Sequence, residues 1–153
     1  MKQIQSIFII LLVAGLFSFQ CEREKNCCVM PPCSDKPTLE GTWRLVGYRD
    51  ISSGNLESDP EPDGKGVVFT FNDNEKTGTL QGHTYMNTVS GTYELMEYCR
   101  IKMQSFGGTK VGEPAWSNRA WLASDSIFYY ERIENNLTIY RNAGKEGMIF
   151  KKQ

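Results

Sequence analysis

Histidine is nearly absent from this chain: a single one occurs in 153 residues. That scarcity argues against histidine-rich metal centres and leaves little for a His-based catalytic relay. Charge of one sign is also missing, with 17 Lys plus Arg against 18 Asp plus Glu. A nucleic-acid binder needs a clustered basic face, so no nucleic-acid partner is expected. Nucleophile motifs such as Gly-x-Ser-x-Gly and Ser-x-x-Lys do not occur, and neither does the Walker spacing. No catalytic residue, no metal site and no cofactor are therefore expected, and the protein reads as a non-enzyme. What remains suits one folded domain, with 40% hydrophobic and 12% aromatic residues to build a core.

The apolar run from Ile7 to Phe19 is short. Its 13 residues would span about 20 Å as a helix, against roughly 30 Å of bilayer hydrocarbon. With Lys2 ahead of it, residues 1–20 read as an export signal and not as a membrane span. The run stops at Cys21, followed by the charged Glu22-Arg23-Glu24-Lys25. An apolar run ending at a cysteine resembles a bacterial lipoprotein signal, in which that cysteine carries the lipid, palmitate included. Ser18 and Gln20 replace the usual Leu and Gly or Ala, a relaxation similar to Bacteroidetes-type lipoproteins. The resemblance implies anchoring of Cys21 in the outer membrane of a bacterial cell envelope, facing the periplasm or the exterior.

Cysteine parity fits an oxidising compartment: beyond Cys21 there are four, Cys27, Cys28, Cys33 and Cys99. One expected bridge closes Cys27 or Cys28 onto Cys33, and the other ties the tether to Cys99. Residues 21–38, with Pro31, Pro32 and Pro37, read as that tether, and the folded domain as residues 39–153.

From Leu39 the pattern alternates. Strands are expected from Leu39 to Leu45, Val67 to Phe71, Thr77 to Gln81, Thr88 to Leu95 and Tyr98 to Met103. Cys99, Ile101 and Met103 fall on one side of the last. Three more follow: Ser126 to Ile133, Leu137 to Arg141 and Met148 to Lys151. Between the two groups, Glu113 to Ser124 reads as a helix with Ala115, Trp116, Ala120, Leu122 and Ala123 on one apolar stripe and Trp121 off it. The expected fold is mostly β: a curved antiparallel sheet or small barrel of about eight strands, with one short helix before the last three.

Gly82-His83-Thr84-Tyr85-Met86-Asn87 leading to Gly91-Thr92-Tyr93 resembles the signature of META domains, the HslJ-like bacterial lipoproteins. Gly41-Thr42-Trp43 and Thr109-Lys110 add to the likeness, which covers residues 39–152. Met86 stands where that family often has Cys. The resemblance implies a structural or envelope-stress role and transfers no catalytic residue. On the residues themselves, Gly82 and Gly91 read as sources of backbone freedom, and Asn87 as a local backbone partner. Lipocalin-like barrels also open on Gly-x-Trp, which leaves a carrier of a small apolar ligand as the alternative; their helix follows the last barrel strand.

Other candidates are weaker. Asp59-Pro60-Glu61-Pro62-Asp63-Gly64 mimics a calcium loop but lacks its closing acid, since Thr70 stands there, and reads as a solvated acidic loop. Gly107-Gly108-Thr109-Lys110 reads as a turn. His83 reads as a turn histidine and is kept as a partner or ligand candidate, and Ser126 reads as an O-glycosylation candidate within Asp125-Ser126-Ile127. Trp121, Trp116, Tyr85, Tyr98 and Tyr130 are the aromatics best suited to contact an envelope protein or line a barrel mouth. Trp121 ranks first, and the oligomeric state is not legible.

Overall fold

The computed structural model describes residues 34–153. The signal, the lipidation candidate Cys21, and Cys27, Cys28 and Cys33 lie outside the described residues.

Among the described residues, nine antiparallel strands form one sheet. They are β1 (Gly41–Asp50), β2 (Leu56–Ser58), β3 (Val68–Asp73), β4 (Thr77–His83), β5 (Thr88–Met96), β6 (Arg100–Gly108), β7 (Ile127–Ile133), β8 (Asn136–Arg141) and β9 (Glu146–Lys152). A single helical turn, α1 (Ala115–Asn118), precedes β7. Pairing of β1 with β9 closes eight strands into a barrel, and β2 is an additional strand on β1. The expected architecture is thus present, with one strand more.

Alternation explains the interior. Trp43, Leu45, Phe69, Phe71, Leu80, Tyr93, Ile101, Met103, Leu137, Ile139, Met148 and Phe150 occupy every second strand position and are buried. Ring contacts tie these strands together. Phe69 lies 5.7 Å from Phe150, 6.1 Å from Phe106 and 6.5 Å from Phe71, and Phe71 lies 5.5 Å from Tyr93, all centroid to centroid. These aromatic side chains fill the middle of the barrel, each burying on the order of 150–250 Å2.

Several expectations are corrected. The helix is one turn long: after Asn118, Ala120 N–H bonds Ser117 O and Trp121 N–H bonds Asn118 O, so the chain tightens and leaves the helix. Ala115 and Ala123 are exposed, while Ser117 is buried beside Trp116, Ala120 and Leu122. Cys99 is not on the β6 face. It sits in the β5–β6 turn with Tyr98, both at positive φ (52° and 59°), packed against the core. Gly107 and Gly108 belong to β6 and not to a turn. Gly82 and Gly91 serve by close approach and not by unusual φ. A Cβ on Gly82 would lie 2.0 Å from Val68 O, and one on Gly91 2.4 Å from Ser105 O.

Ordered contacts begin before Leu39. Ser34 forms a parallel bridge with Arg132, Asp35 N–H donates to Arg132 O (3.1 Å), and Glu134 N–H donates to the Asp35 carboxylate (2.9 Å). The last residues of the expected tether therefore lie along β7. The Arg132 side chain is itself buried, donating to Thr38 O with its guanidinium 5.3 Å from the Trp43 ring. Lys152 approaches the same ring at 5.8 Å, and the indole N–H donates to Leu39 O at 2.9 Å. Trp43 thus joins β1, β7, β9 and the N-terminal segment. Trp43→Ala is expected to destabilise the fold by about 3–5 kcal/mol, the usual loss for a buried aromatic. Urea unfolding followed by circular dichroism measures it, and a loss below about 1 kcal/mol would contradict this placement.

Candidate functional site

The acidic loop between β2 and β3 behaves differently from its sequence. Asp59 is buried, not solvated. Its carboxylate pairs with the Arg44 guanidinium at 3.1 Å and accepts from Tyr85 O–H and Glu61 N–H. Arg44 also donates to the carbonyls of Glu61, Pro62, Gly64 and Lys65 at 2.9–3.3 Å. Loop oxygens converge on a cation here, where the sequence reads as a solvated acidic loop. The cation is the protein's own arginine, delivered from the outer face of β1. Gly66 (φ 70°) lets it in, since a Cβ there would lie 2.4 Å from the guanidinium carbon. Burial, and then the bond to Asp59, push the Tyr85 hydroxyl pKa up.

The second polar cluster knots the β4–β5 loop to the segment before α1. Asn87 Nδ2 donates to Val111 O (3.0 Å) and Glu113, while its Oδ1 accepts from Val111 N–H (2.7 Å) and the Thr109 hydroxyl (3.0 Å). Asn87 therefore bonds across the fold as well as locally, where its backbone pairs with Thr84. Glu113 accepts from the hydroxyls of Thr84 (2.7 Å) and Ser117 (2.5 Å) and from Met86 N–H (3.4 Å). Burial pulls the Glu113 pKa up, but these donors outweigh it and the carboxyl ends below its ordinary value. Beside the knot lies a cleft of about 450 Å3 reached by Lys110, Val111, Asn118 and Trp121.

The sequence-selected aromatics separate. Trp116 and Tyr130 are buried and face inward. Trp116 meets Tyr48 edge-on at 5.1 Å and Tyr85 at 5.7 Å, so Tyr85 is a loop support. Trp121 is half-buried, its ring edge-on to Phe106 at 5.5 Å, so it supports the core as well as lining the cleft. Its displacement from the helical stripe vanished with the helix. His83 faces outward on β4 at half exposure, its Nδ1 3.2 Å from Thr84 O. Ser126 is half-buried at the entrance to β7, its carbonyl accepting from Met103 N–H. Among the described residues no cluster could hold a metal ion, and no helix is long and apolar enough to cross a membrane.

Tyr98 alone of the selected set is largely exposed, at 72%. It has company that aromatic content alone did not single out. Ile127, Tyr129 and Ile133 project outward from β7 at 49%, 53% and 46% exposure. Tyr129 is registered between Arg100 on β6 and Tyr140 on β8, and Ile127 opposite Lys102. The phase of β7 could have revealed this face: Phe128 and Tyr130 point in, so 127, 129 and 133 point out.

A second clustered charge site, Arg119, bridges Glu57 and Glu146 and lies 3.9 Å over the Tyr48 ring. One guanidinium bonds both carboxylates, so this is a tie between β2, β9 and the segment after α1.

The geometry defines a small antiparallel β-barrel with a plugged interior. No family model matches the chain, and no curated protein does. Solved structures do share the fold. An NMR structure of a protein from Burkholderia xenovorans aligns over 81% of this chain and 92% of its own, at TM-score 0.56 and 15% identity. A DUF4847 family protein from Bacteroides vulgatus ATCC 8482 aligns over 74% and 94%, at TM-score 0.54 and 20% identity. This chain is similar to both in fold.

Glu113→Gln is expected to cost about 1–3 kcal/mol at pH 7, because buried Thr84, Asn87 and Ser117 lose their ionised acceptor. A carboxyl with a lowered folded pKa contributes stability above its unfolded pKa and loses it as pH falls through the folded one. The substitution should therefore also flatten the acid-side decline. Urea midpoints across an acid-to-neutral pH series read both effects, and parallel curves would show that Glu113 does not govern the decline.

Proposed function

We propose that this protein is a lipid-anchored, non-catalytic β-barrel of the bacterial outer membrane, working through its outer surface in contact with an envelope protein. The observation that carries it is the filled barrel: Phe69, Phe71, Tyr93, Phe106 and Phe150 occupy the space that a carrier would leave for cargo. The resemblance to META domains supports an envelope-stress setting. The polar clusters support the non-catalytic reading, since Asp59 and Glu113 are committed to holding loops. Native mass spectrometry of the protein with a mixture of fatty acids tests the filled interior. No stoichiometric adduct is expected, and a one-to-one complex would replace this reading by a carrier.

Anchoring rests on Cys21. Globomycin treatment should block maturation, and mass spectrometry of the N-terminal peptide should find a diacylglyceryl cysteine. An unmodified Cys21 in a mature, soluble protein would overturn the anchor.

The proposal includes a cross-link from the tether to Cys99. Its support is positional. Tyr130 N–H donates to Cys99 O at 2.9 Å, and two residues on, Arg132 bridges Ser34. On this proposal Cys33, one residue ahead of Ser34, pairs with Cys99 and does not close the small loop to Cys27 or Cys28 expected from the sequence; a loop of this size is worth about 4 kcal/mol. Non-reducing peptide mapping should recover Cys33 joined to Cys99. Recovery of Cys99 alkylated after unfolding without reductant would exclude the cross-link.

A further inference from the structure

We infer that the outer face of β6–β8, built on Tyr98, Tyr129, Ile127 and Ile133, is the side of the barrel that rests in the headgroup layer of the membrane. This inference rests on the anchored reading above.

Four large apolar side chains lie about half exposed or more on this face, Tyr98 and Tyr129 most of all. Cations border them. Arg100 flanks Tyr129 on the neighbouring strand and places its guanidinium 5.9 Å from the Tyr98 ring, and Lys102 stands opposite Ile127. Tyr140 donates from its hydroxyl to Glu131 beside them at 3.2 Å. Amphipathic rings with long cationic stems are the combination that settles at a membrane–water boundary, the rings at headgroup depth and the cations at phosphates.

The attachment point selects this occupant over a protein. The N-terminal segment joins the barrel on β7 itself, at Arg132, between the outward Glu131 and Ile133. Only 12 residues separate the anchoring Cys21 from Ser34. A random chain of that length has an r.m.s. span of about 20 Å, and even fully extended it spans only about 40 Å. The strand that receives the tether is thus held close to the bilayer, with its apolar residues on the outer side. A protein of ordinary size would have to fit into that gap.

The far side of the barrel has the opposite character. Across β1 and β3–β6, two registered outer rows run Thr42–Thr70–Gln81–Ser90 and Asn72–Thr79–Thr92–Ser105. They hold hydroxyls and amides with no large apolar side chain, as expected of a surface facing water.

The test uses the full lipidated protein in phosphatidylethanolamine–phosphatidylglycerol vesicles whose acyl chains are brominated near the headgroup. Tyr129→Trp and Thr79→Trp place an extra indole on the two faces over the same native tryptophan background. The emission added by Tyr129→Trp should be quenched at least twofold more than that added by Thr79→Trp. A measurement on the unaltered tyrosines guards against misfolding. Nitration of Tyr98 and Tyr129 by a water-soluble reagent should fall at least twofold in the vesicle-bound wild type relative to the unlipidated Cys21→Ser chain in solution. Equal quenching and equal nitration in protein that floats with the vesicles would overturn the inference and leave the anchor standing. Protein that does not float would overturn the anchored reading and this inference with it. Cross-linking of Tyr129 to a distinct envelope protein in native membranes would assign the face to that partner instead.

Discussion

The fold depends on the pairing of β1 with β9. A sheet with the same strands left open would expose two rows of unpaired amides and carbonyls, an invitation to edge-to-edge association. Closure removes them, and β1 makes it possible by serving three neighbours along its ten residues. Its start pairs with β3, its middle and end with β9, and Gly47 to Arg49 with β2. The irregularity between Leu45 and Gly47 reconciles these demands, and the Val46 carbonyl it frees accepts from Asp59 N–H. Trp43, at the seam, meets both Lys152 and Arg132.

Closure also decides where charge can go. An interior of packed rings has no place for an uncompensated ion. Arg132 is admitted because carbonyl oxygen and an indole face receive it, and its burial fixes Thr38 and the residues before it. Arg44 illustrates the same rule at the surface. Loop oxygens in a proline-rich turn cannot all bond their own amides, so a cation must gather them. A guanidinium on a neighbouring strand does so with fixed geometry and no dependence on calcium concentration. The polar clusters are thus consequences of building loops on a closed barrel, which is why they resemble sites in sequence and act as fastenings in space.

Much of the architecture is legible because burial follows parity: eight strands and their core residues emerge from alternation, and the helical segment before the last three from the break in it. What escaped did so for identifiable reasons. β2 has three exposed residues and owes its existence to Gly47, whose missing side chain lets Glu57 O approach. The reach of β6 through Gly107 and Gly108 was obscured because glycine signals turns, yet here it admits Thr88 O to a tight approach. Cys99 was assigned to a strand face because the β5–β6 turn is made by non-glycine residues at positive φ. Aromatic content points to Tyr130, whereas the phase set by Phe128 turns Tyr130 inward and Tyr129 outward. Asn87 was read locally because its partners lie more than twenty residues on.

On the reading proposed above, function is divided among outer faces, because packed rings occupy the inside. β7 couples that division to the chain's own connectivity. One strand receives the N-terminal segment at Arg132 and displays Ile127, Tyr129 and Ile133 outward. The two roles follow from one alternation: Arg132 points in and grips Thr38, so its neighbours must point out. Attachment on that strand therefore brings the apolar side toward whatever holds the tether, while the hydroxyl-rich rows of β3–β5 lie across the barrel. On the anchored reading proposed above, orientation at a surface needs no separate docking element. It is set by where a short chain is fastened and by which parity of β7 remains outside.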